Sequence, residues 1–245
     1  AEISGKAGRR VIDYSFEALK NMSHRGASGS DENTSDGTGL LTDLPVSYFN
    51  LVLKEELNKE VLDSALGVGM VFTTPSELQV VEKYSLEKSA LFNINYVVKR
   101  IVPTNLAILG EEGRKNCPEI IQFFFTGSDQ DDYCFETRLY LLRKTVEHEL
   151  LKLKAETFIC SLSSKTIVYK GMMKPQHLAR FYSDLNQPEF KVKVSLFHER
   201  FSTNTISSWS MAQPFRMLGH NGEINTIKGN RLWMQTREAT IKSNY

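Results

Sequence analysis

The chain has 245 residues, of which 41% are hydrophobic and 24% charged, and its formal net charge is +1. This composition is typical of a globular domain, and the small net charge provides no basic field that would attract nucleic acid. The three cysteines form no CxxC pair and no metal-ligand spacing, and no apolar run reaches the length of a membrane span. The sequence therefore predicts a cytoplasmic protein with no metal site and no nucleic-acid or membrane partner.

The first half of the chain predicts helices and strands in irregular succession. In chain order they are a helix at 9–22, a strand at 40–44, a helix at 47–63, a strand at 67–73, a helix ending near 92 and a strand at 96–103. Thr74, Pro75 and Glu77 are typical of a capping box with proline at the first helical position. The stretch 24–39, HRGASGSDENTSDGTG, contains four glycines and is predicted to be a loop.

The second half of the chain completes the predicted layers. Its elements are a strand at 119–127, a helix at 135–150, a hairpin at 157–171 turning near Ser163 and Ser164, a short helix opened by Pro175, strands at 190–203 and 215–221, and a helix at 225–242 capped by Asn225. The strand at 119–127 shows little polar alternation, so both of its faces are predicted to be covered. Strands cluster without steady β-α alternation, which indicates a single α+β layered domain over 1–245.

A first candidate binding group follows the strand predicted at 190–203. In HERFSTNT, Arg200 and Thr203 are spaced so that a guanidinium and a hydroxyl could converge on one carboxylate. Arginine suits that task because its donors are planar and bidentate. The alternative is a surface arginine followed by a turn at Thr203 and Asn204.

Two further polar stretches are candidates for a reaction site. In GHNGEINT, an asparagine amide at Asn221 beside Gly222 could donate to a developing oxyanion. The alternative is an Asn-Gly hairpin turn, although the following residues predict a helix rather than a strand. The loop at 24–39 has His24 and Arg25 at its hinge and a length that suits a cover over a cleft, the alternative being a flexible linker.

Four strings, taken together, resemble a known family. HRGA (24–27), DGTG (36–39), HERFSTNT (198–205) and AQPFRMLGHNGEINTIKGNRLWM (212–234) occur in the same order as in the amidotransferase domain of the glutamate synthase large chain. The resemblance covers nearly the whole chain, and GHNGEINTxxGNxxWM is highly specific. The shorter HRG, RxxT and HNG elements are similar to the wider class II glutamine amidotransferases.

The resemblance implies the fold of an N-terminal nucleophile hydrolase, a four-layer αββα sandwich of mostly antiparallel sheets flanked by helices. It also implies that an N-terminal cysteine attacks the side-chain amide of L-glutamine and releases ammonia. Carried over by motif, the site residues are Asn221 and Gly222 in the oxyanion hole, and Arg25, Arg200, Thr203 and His220 in contact with the substrate.

The sequence departs from the family pattern at both ends. Residue 1 is alanine, where the family begins with cysteine and a short apolar strand. Cys117, Cys134 and Cys160 cannot substitute, because the mechanism uses the α-amino group of the nucleophilic residue as its base. The acidic residue expected to bind the α-amino group of glutamine falls beyond Tyr245. We therefore expect a glutaminase domain that lacks its nucleophile strand and its C-terminal part and is inactive by itself.

The resemblance also implies groups outside these residues. It predicts no cofactor within 1–245, FMN and an iron–sulfur cluster in synthase domains of the same polypeptide, transfer of ammonia to 2-oxoglutarate, and a small NAD(P)H-oxidising subunit as a partner. Two alternatives stand beside this interpretation. One is a non-catalytic glutamine-binding or interaction module that has lost its nucleophile. The other is a different class II amidotransferase, against which NTIKGNRLWM argues.

Overall fold

A computed structural model of the chain describes residues 1–25, 31, 33–61, 65–127, 132–199, 208–216 and 227–242. The α-helices in these ranges are α1 (Arg9–Asn21), α2 (Val46–Leu51), α3 (Leu78–Ser89), α4 (Glu111–Lys115), α5 (Asp132–Lys152), α6 (Leu178–Phe181) and α7 (Ile227–Glu238). The strands are β1 (Thr38–Asp43), β2 (Ala65–Thr73), β3 (Asn95–Ile101), β4 (Glu119–Gly127), β5 (Phe158–Ser163), β6 (Thr166–Gly171) and β7 (Ser195–Glu199). A π-helical turn, Val52–Glu56, continues α2, and short 3₁₀ turns lie at Ser23–Arg25, Ala90–Phe92, Leu106–Ile108, Pro175–His177 and Ser183–Asn186.

The strands form two antiparallel sheets within the described ranges. A three-stranded sheet has the order β6-β1-β7, and a four-stranded sheet has the order β3-β4-β2-β5. Helix α1 lies against β7, where the hydroxyls of Ser15 and Ser195 are hydrogen-bonded. Helices α3 and α5 pack together on the other side of the molecule, over the four-stranded sheet. The predicted α+β fold of stacked antiparallel sheets with flanking helices is therefore confirmed.

Strand β4 separates two hydrophobic cores. Phe124 belongs to the first core, which also contains residues of β1, β6 and α1. Its neighbour Phe123 belongs to the second core, together with Val81 of α3 and Leu139 of α5. Because successive side chains of a strand point to opposite faces, this arrangement covers both faces of β4, as its lack of polar alternation predicted.

The predicted hairpin at 157–171 is wrong in its pairing. Strand β5 pairs with β2 of the large sheet, whereas β6 pairs with β1 of the small sheet. The chain turns between them at a corner that the carboxylate of Glu136 holds. This carboxylate accepts hydrogen bonds from the Ser163 hydroxyl at 2.7 Å, the Ser164 amide at 2.7 Å and the Ser164 hydroxyl at 2.8 Å. Two adjacent strands of the sequence therefore belong to different layers.

The boundaries of other predicted elements also differ. The capping box at 74–77 does not form, since α3 begins at Leu78 and the Glu77 carboxylate instead accepts hydrogen bonds from Glu156 and Thr157 next to β5. The helix predicted at 47–63 ends with the π-helical turn at Glu56. Of the strand predicted at 215–221, residues 215 and 216 are described and are not in a strand.

Candidate functional site

The DGTG motif and the HE of HERFSTNT lie side by side in the small sheet. Strand β1 begins inside DGTG, and its first residue, Thr38, is paired with Glu199 at the end of β7 and with Gly171 at the end of β6. The Thr38 hydroxyl donates a hydrogen bond to the carbonyl of His198 at 3.2 Å. Two motifs that are 160 residues apart in sequence therefore meet at one end of the three-stranded sheet.

The AQPF stretch packs against the same end of β1, and glycines allow the contact. Gly37 has a φ of +126°, which side chains disfavour, and a Cβ there would lie 2.8 Å from the Cβ of Ala212. A Cβ on Gly39 would collide with the carbonyl oxygen of Gln213 and lie 2.9 Å from the Cδ of Pro214. The glycines of DGTG are therefore required by the close approach of residues 212–214.

The HRGA motif borders this region through His24. His24 lies in the 3₁₀ turn after α1, and its ring Nδ1 is 3.1 Å from the carbonyl oxygen of Asn21. Burial raises the pKa of Glu199, and the charge of His24 acts in the opposite direction. Among the described residues, the buried Oε2 of Glu199 has no hydrogen-bond partner. An unpaired buried carboxylate next to three motifs is the kind of group found at reaction sites.

The residues predicted to touch the substrate are mostly not described. Arg200, Thr203, His220, Asn221 and Gly222 lie outside the described residues. Of Arg25 the structure describes the backbone, at the end of the 3₁₀ turn Ser23–Arg25. The structure therefore brings together the described parts of the motifs, and the roles of these six residues stay predictions.

The second half of the predicted loop 24–39 is anchored to the short helix α4. The Asp31 carboxylate accepts hydrogen bonds from the Thr34 amide at 2.7 Å, the Thr34 hydroxyl at 2.7 Å and the Glu112 amide at 3.3 Å. The hydroxyl of Thr34 leads the interactions that lower the pKa of Asp31. The Ser35 hydroxyl donates to the carbonyl of Met173 at 2.6 Å. Asp31, Thr34 and Ser35, which lead into DGTG, are thus fixed by hydrogen bonds to α4 and to the residues that follow β6.

Sequence reasoning missed how residues 208–216 are held in the structure. The indole Nε1 of Trp209 donates to the carbonyl of Gly113 at 3.0 Å, and the Trp209 ring packs edge-on to Phe72. The Lys170 ammonium donates to the carbonyl of Ser210 at 2.7 Å. A signal was present in the sequence, because Lys170 interrupts the otherwise apolar run TIVY before the glycine that ends β6.

The three cysteines do not fit an iron–sulfur ligand set or a reactive thiolate. Cys117 precedes β4, Cys134 lies on α5 and Cys160 lies on β5, so the three are spread over different elements. Burial raises the pKa of Cys117 to about 12 and that of Cys160 to about 11, which disfavours the thiolate that clusters and nucleophiles need. No group of three or more His, Cys, Asp or Glu side chains in the described residues could hold a metal ion.

A cavity of about 610 Å³ lies beside Trp209. Its floor includes Phe72, Phe158 and Met172, and its rim carries Lys115 and Glu156. None of the predicted substrate-binding residues belongs to its described lining. No helix in the described part of the chain is long and apolar enough to cross a membrane.

Comparison with known proteins defines the class. A model of the family described as "Glutamine amidotransferases class-II" matches residues 1–245. The chain belongs to this family.

Its relatives within the family are glutamate synthases. It is 35% identical to the ferredoxin-dependent glutamate synthase of Antithamnion sp., in a match covering 100% of this chain and 16% of the relative. It is 39% identical to ferredoxin-dependent glutamate synthase 1 of Arabidopsis thaliana, over 95% of this chain and 15% of the relative. It is 38% identical to the glutamate synthase [NADPH] large chain of Bacillus subtilis, over 99% of this chain and 16% of the relative. The chain spans about a sixth of the length of these relatives, and it corresponds to their amidotransferase domain.

Proposed function

We propose that this chain provides the glutamine-binding part of a glutaminase, which hydrolyses the side-chain amide of L-glutamine to glutamate and ammonia. The observation that supports this proposal is the meeting of DGTG, the HE of HERFSTNT and AQPF at one end of the small sheet. Arg200 directly follows Glu199 in sequence, and His220, Asn221 and Gly222 follow Arg216 within six residues. Arg200 and residues 220–222 thus follow two segments that both contact the same end of β1. A binding group and an oxyanion donor placed in this way can serve one substrate.

In the proposed reaction a cysteine thiolate attacks the amide carbon, and the carbonyl oxygen becomes negative. Asn221 and Gly222 donate hydrogen bonds to this oxygen, as an oxyanion hole does. The α-amine of the cysteine takes the thiol proton and passes it to the amide nitrogen, so that the tetrahedral intermediate collapses to a thioester and ammonia. Water then hydrolyses the thioester to glutamate and the free thiol. Arg200 and Thr203 hold the α-carboxylate of glutamine, and Arg25 and His220 line the same pocket. Cys117, Cys134 and Cys160 do not fit the role of this nucleophile, since they are internal residues without a free α-amine.

We also propose that the ammonia is transferred to 2-oxoglutarate by synthase domains of the same polypeptide, which hold FMN and an iron–sulfur cluster. The position of Cys117, Cys134 and Cys160 on different elements supports placing the cluster in those domains. Relatives of both ferredoxin-dependent and NADPH type match equally well, and the choice of electron donor lies with those domains, including whether a small NAD(P)H-oxidising subunit takes part. Three widely spaced cysteines, with no CxxC pair, support a reducing compartment such as the cytoplasm.

Two substitutions in the full-length polypeptide test the proposed roles. Asn221→Ala is expected to lower kcat on the order of 10²–10³-fold with little change in KM for glutamine, because an oxyanion donor acts in the transition state. Arg200→Lys is expected to raise KM strongly, since lysine cannot reproduce the bidentate contact. Lys191→Met, at an exposed position, is the matched control and leaves both constants unchanged.

The outcomes separate the alternatives. An unchanged KM in Arg200→Lys removes Arg200 from the site. Glutamine binding without ammonia release by the full-length polypeptide favours the non-catalytic module instead. Residues 1–245 alone are expected to release no ammonia from glutamine, and activity of that polypeptide contradicts the assigned nucleophile.

A further inference from the structure

Lys170 is a buried cation without a carboxylate partner in the described part of the chain. Its side chain lies on β6 with 1% of its surface exposed. Its ammonium lies 4.4 Å from the ring centroid of Phe215 and 4.8 Å from that of Phe158. Burial lowers the pKa of Lys170, as expected for an ammonium removed from water. Burying a charge costs free energy unless the charged group makes compensating contacts, so the contacts of Lys170 are of interest.

Two of those contacts are to the segment 208–216. Besides the Phe215 ring, the ammonium donates a hydrogen bond to the Ser210 carbonyl at 2.7 Å. Cation–π contacts gain strength when the cation is desolvated, as it is here. Lys170 therefore contacts both the first half and the second half of this segment.

Within the described part of the chain, the segment takes part in no strand pairing. Its backbone hydrogen bonds are local, from the amides of Met211 and Ala212 to the carbonyl of Ser208 at 3.1 and 3.0 Å. Besides the packing of residues 212–214 on Gly37 and Gly39, the described side chains hold it through Trp209 on Gly113, Lys170 at the centre, and an ion pair between Arg216 and Glu136. Because regular secondary structure does not fix residues 208–216, loss of the contacts of Lys170 should make this segment more mobile.

We propose that Lys170 is a positioning residue for the glutaminase reaction, holding residues 208–216 so that the chain leading to Asn221 starts from a fixed point. This inference rests on the proposed function. Lys170 touches neither substrate nor nucleophile in this account, and it acts through the segment that it anchors. Small displacements of catalytic groups lower the rate strongly, since a shift of about 1 Å can reduce it on the order of a hundredfold.

The test uses the full-length polypeptide and two variants that weaken the anchor differently. Lys170→Met keeps the length and fills the aromatic site, but it removes the donor and the charge. Phe215→Leu keeps Lys170 and removes one ring. Lys191→Met is the control. For each variant we measure amide hydrogen exchange of peptides covering 208–216, kcat and KM for glutamine, and the thermal unfolding temperature.

We expect both variants to exchange at least tenfold faster in 208–216 and to lose about ten- to a hundredfold in kcat, with KM held within about twofold. The control should change none of these. Unchanged exchange in 208–216 overturns Lys170 as an anchor, and faster exchange with unchanged kcat overturns its part in the reaction. A loss that instead follows a lowered unfolding temperature, with exchange rising throughout both sheets, shows general destabilisation and also overturns it. Absence of ammonia release from the unmodified polypeptide refutes the proposed function, whereas the exchange data then still decide the anchor.

Discussion

The two sheets are stabilised in different ways. Strand β4 of the four-stranded sheet is buried on both faces, mostly by apolar side chains, and Phe123 and Phe124 point into separate cores. Gln122 is a buried polar residue of this strand, and it is hydrogen-bonded to Arg100 and Asp184. In the three-stranded sheet, the end of β1 instead meets buried polar groups and the backbone of another segment, as at Thr38 and Gly39. Hydrophobic burial is non-directional and tolerates repacking, whereas a backbone approach at a glycine leaves no room for one extra carbon. We therefore expect mutations in the core of the four-stranded sheet to lower stability, and mutations at the end of β1 to lower activity.

The largest expected effect is on the stability of the large sheet. Phe124 is fully buried and packs edge-on to Phe49 with ring centroids 5.7 Å apart. Phe124→Ala is expected to lower the free energy of opening by about 3–5 kcal/mol, from lost burial and the cavity left behind. Native-state hydrogen exchange of the β4 amides measures this. Ile101→Ala, at a position of the same sheet with 69% exposure, serves as control and should change it by less than about 0.5 kcal/mol.

A pair of glycine substitutions tests the comparison between the regions directly. A Cβ on Gly39 meets the backbone carbonyl of Gln213, whereas a Cβ on Gly67 of β2 lies 2.7 Å from Cδ1 at the tip of the Leu139 side chain. The tip can move, so Gly67→Ala should cost about 1 kcal/mol and leave kcat unchanged. Gly39→Ala should displace residues 212–214, cost about 1–3 kcal/mol and lower kcat for glutamine by roughly tenfold or more. Equal losses of kcat in the two variants contradict the comparison.

Sequence patterns predicted the large sheet better than the small one, for a physical reason. The bounds of β4 and the helical run in α5 follow from apolar content and periodicity, which burial alone decides. The pairing of β5 and β6 could not be predicted from local sequence. It depends on Glu136, which is distant in sequence and whose carboxylate binds Ser163 at the turn between the two strands. Local capping chemistry failed at Glu77 for the same reason, since its carboxylate binds Thr157.

The candidate site was predictable from short motifs in part. DGTG and HERFSTNT carried the resemblance, and Thr38 and Gly39 of the first motif pair with Glu199 and His198 of the second in the small sheet. The anchoring of 208–216 was not predictable, because it depends on contacts of Lys170 and Trp209 with residues far away in sequence. Patterns of residue type reveal which segments belong to a site, and long-range packing decides how these segments are held.

The smallest expected effect concerns Glu136, which links the two regions. Its carboxylate on α5 holds the Ser163–Ser164 corner and pairs with Arg216 of the segment 208–216. Burial alone would raise the pKa of Glu136, but the hydrogen bonds from Ser163 and Ser164 and the charge of Arg216 hold it below the ordinary value of 4.5. A carboxylate with a lowered folded pKa stabilises the fold above its unfolded pKa, and that contribution is lost as pH falls through the folded pKa.

Protection factors of the 208–216 amides, corrected for intrinsic exchange, should therefore fall from pH 6 to pH 4 and below, where Glu136 begins to take up a proton. Glu136→Gln should start from lower protection at pH 6 and show a much flatter dependence, since its amide does not titrate in this range. Glu147→Gln, on the same helix but paired with Arg143 and Lys144, should keep the unmodified pH dependence. If Glu136→Gln and the unmodified chain lose protection in parallel, Glu136 does not couple the large sheet to the segment, and the two regions are joined by packing alone.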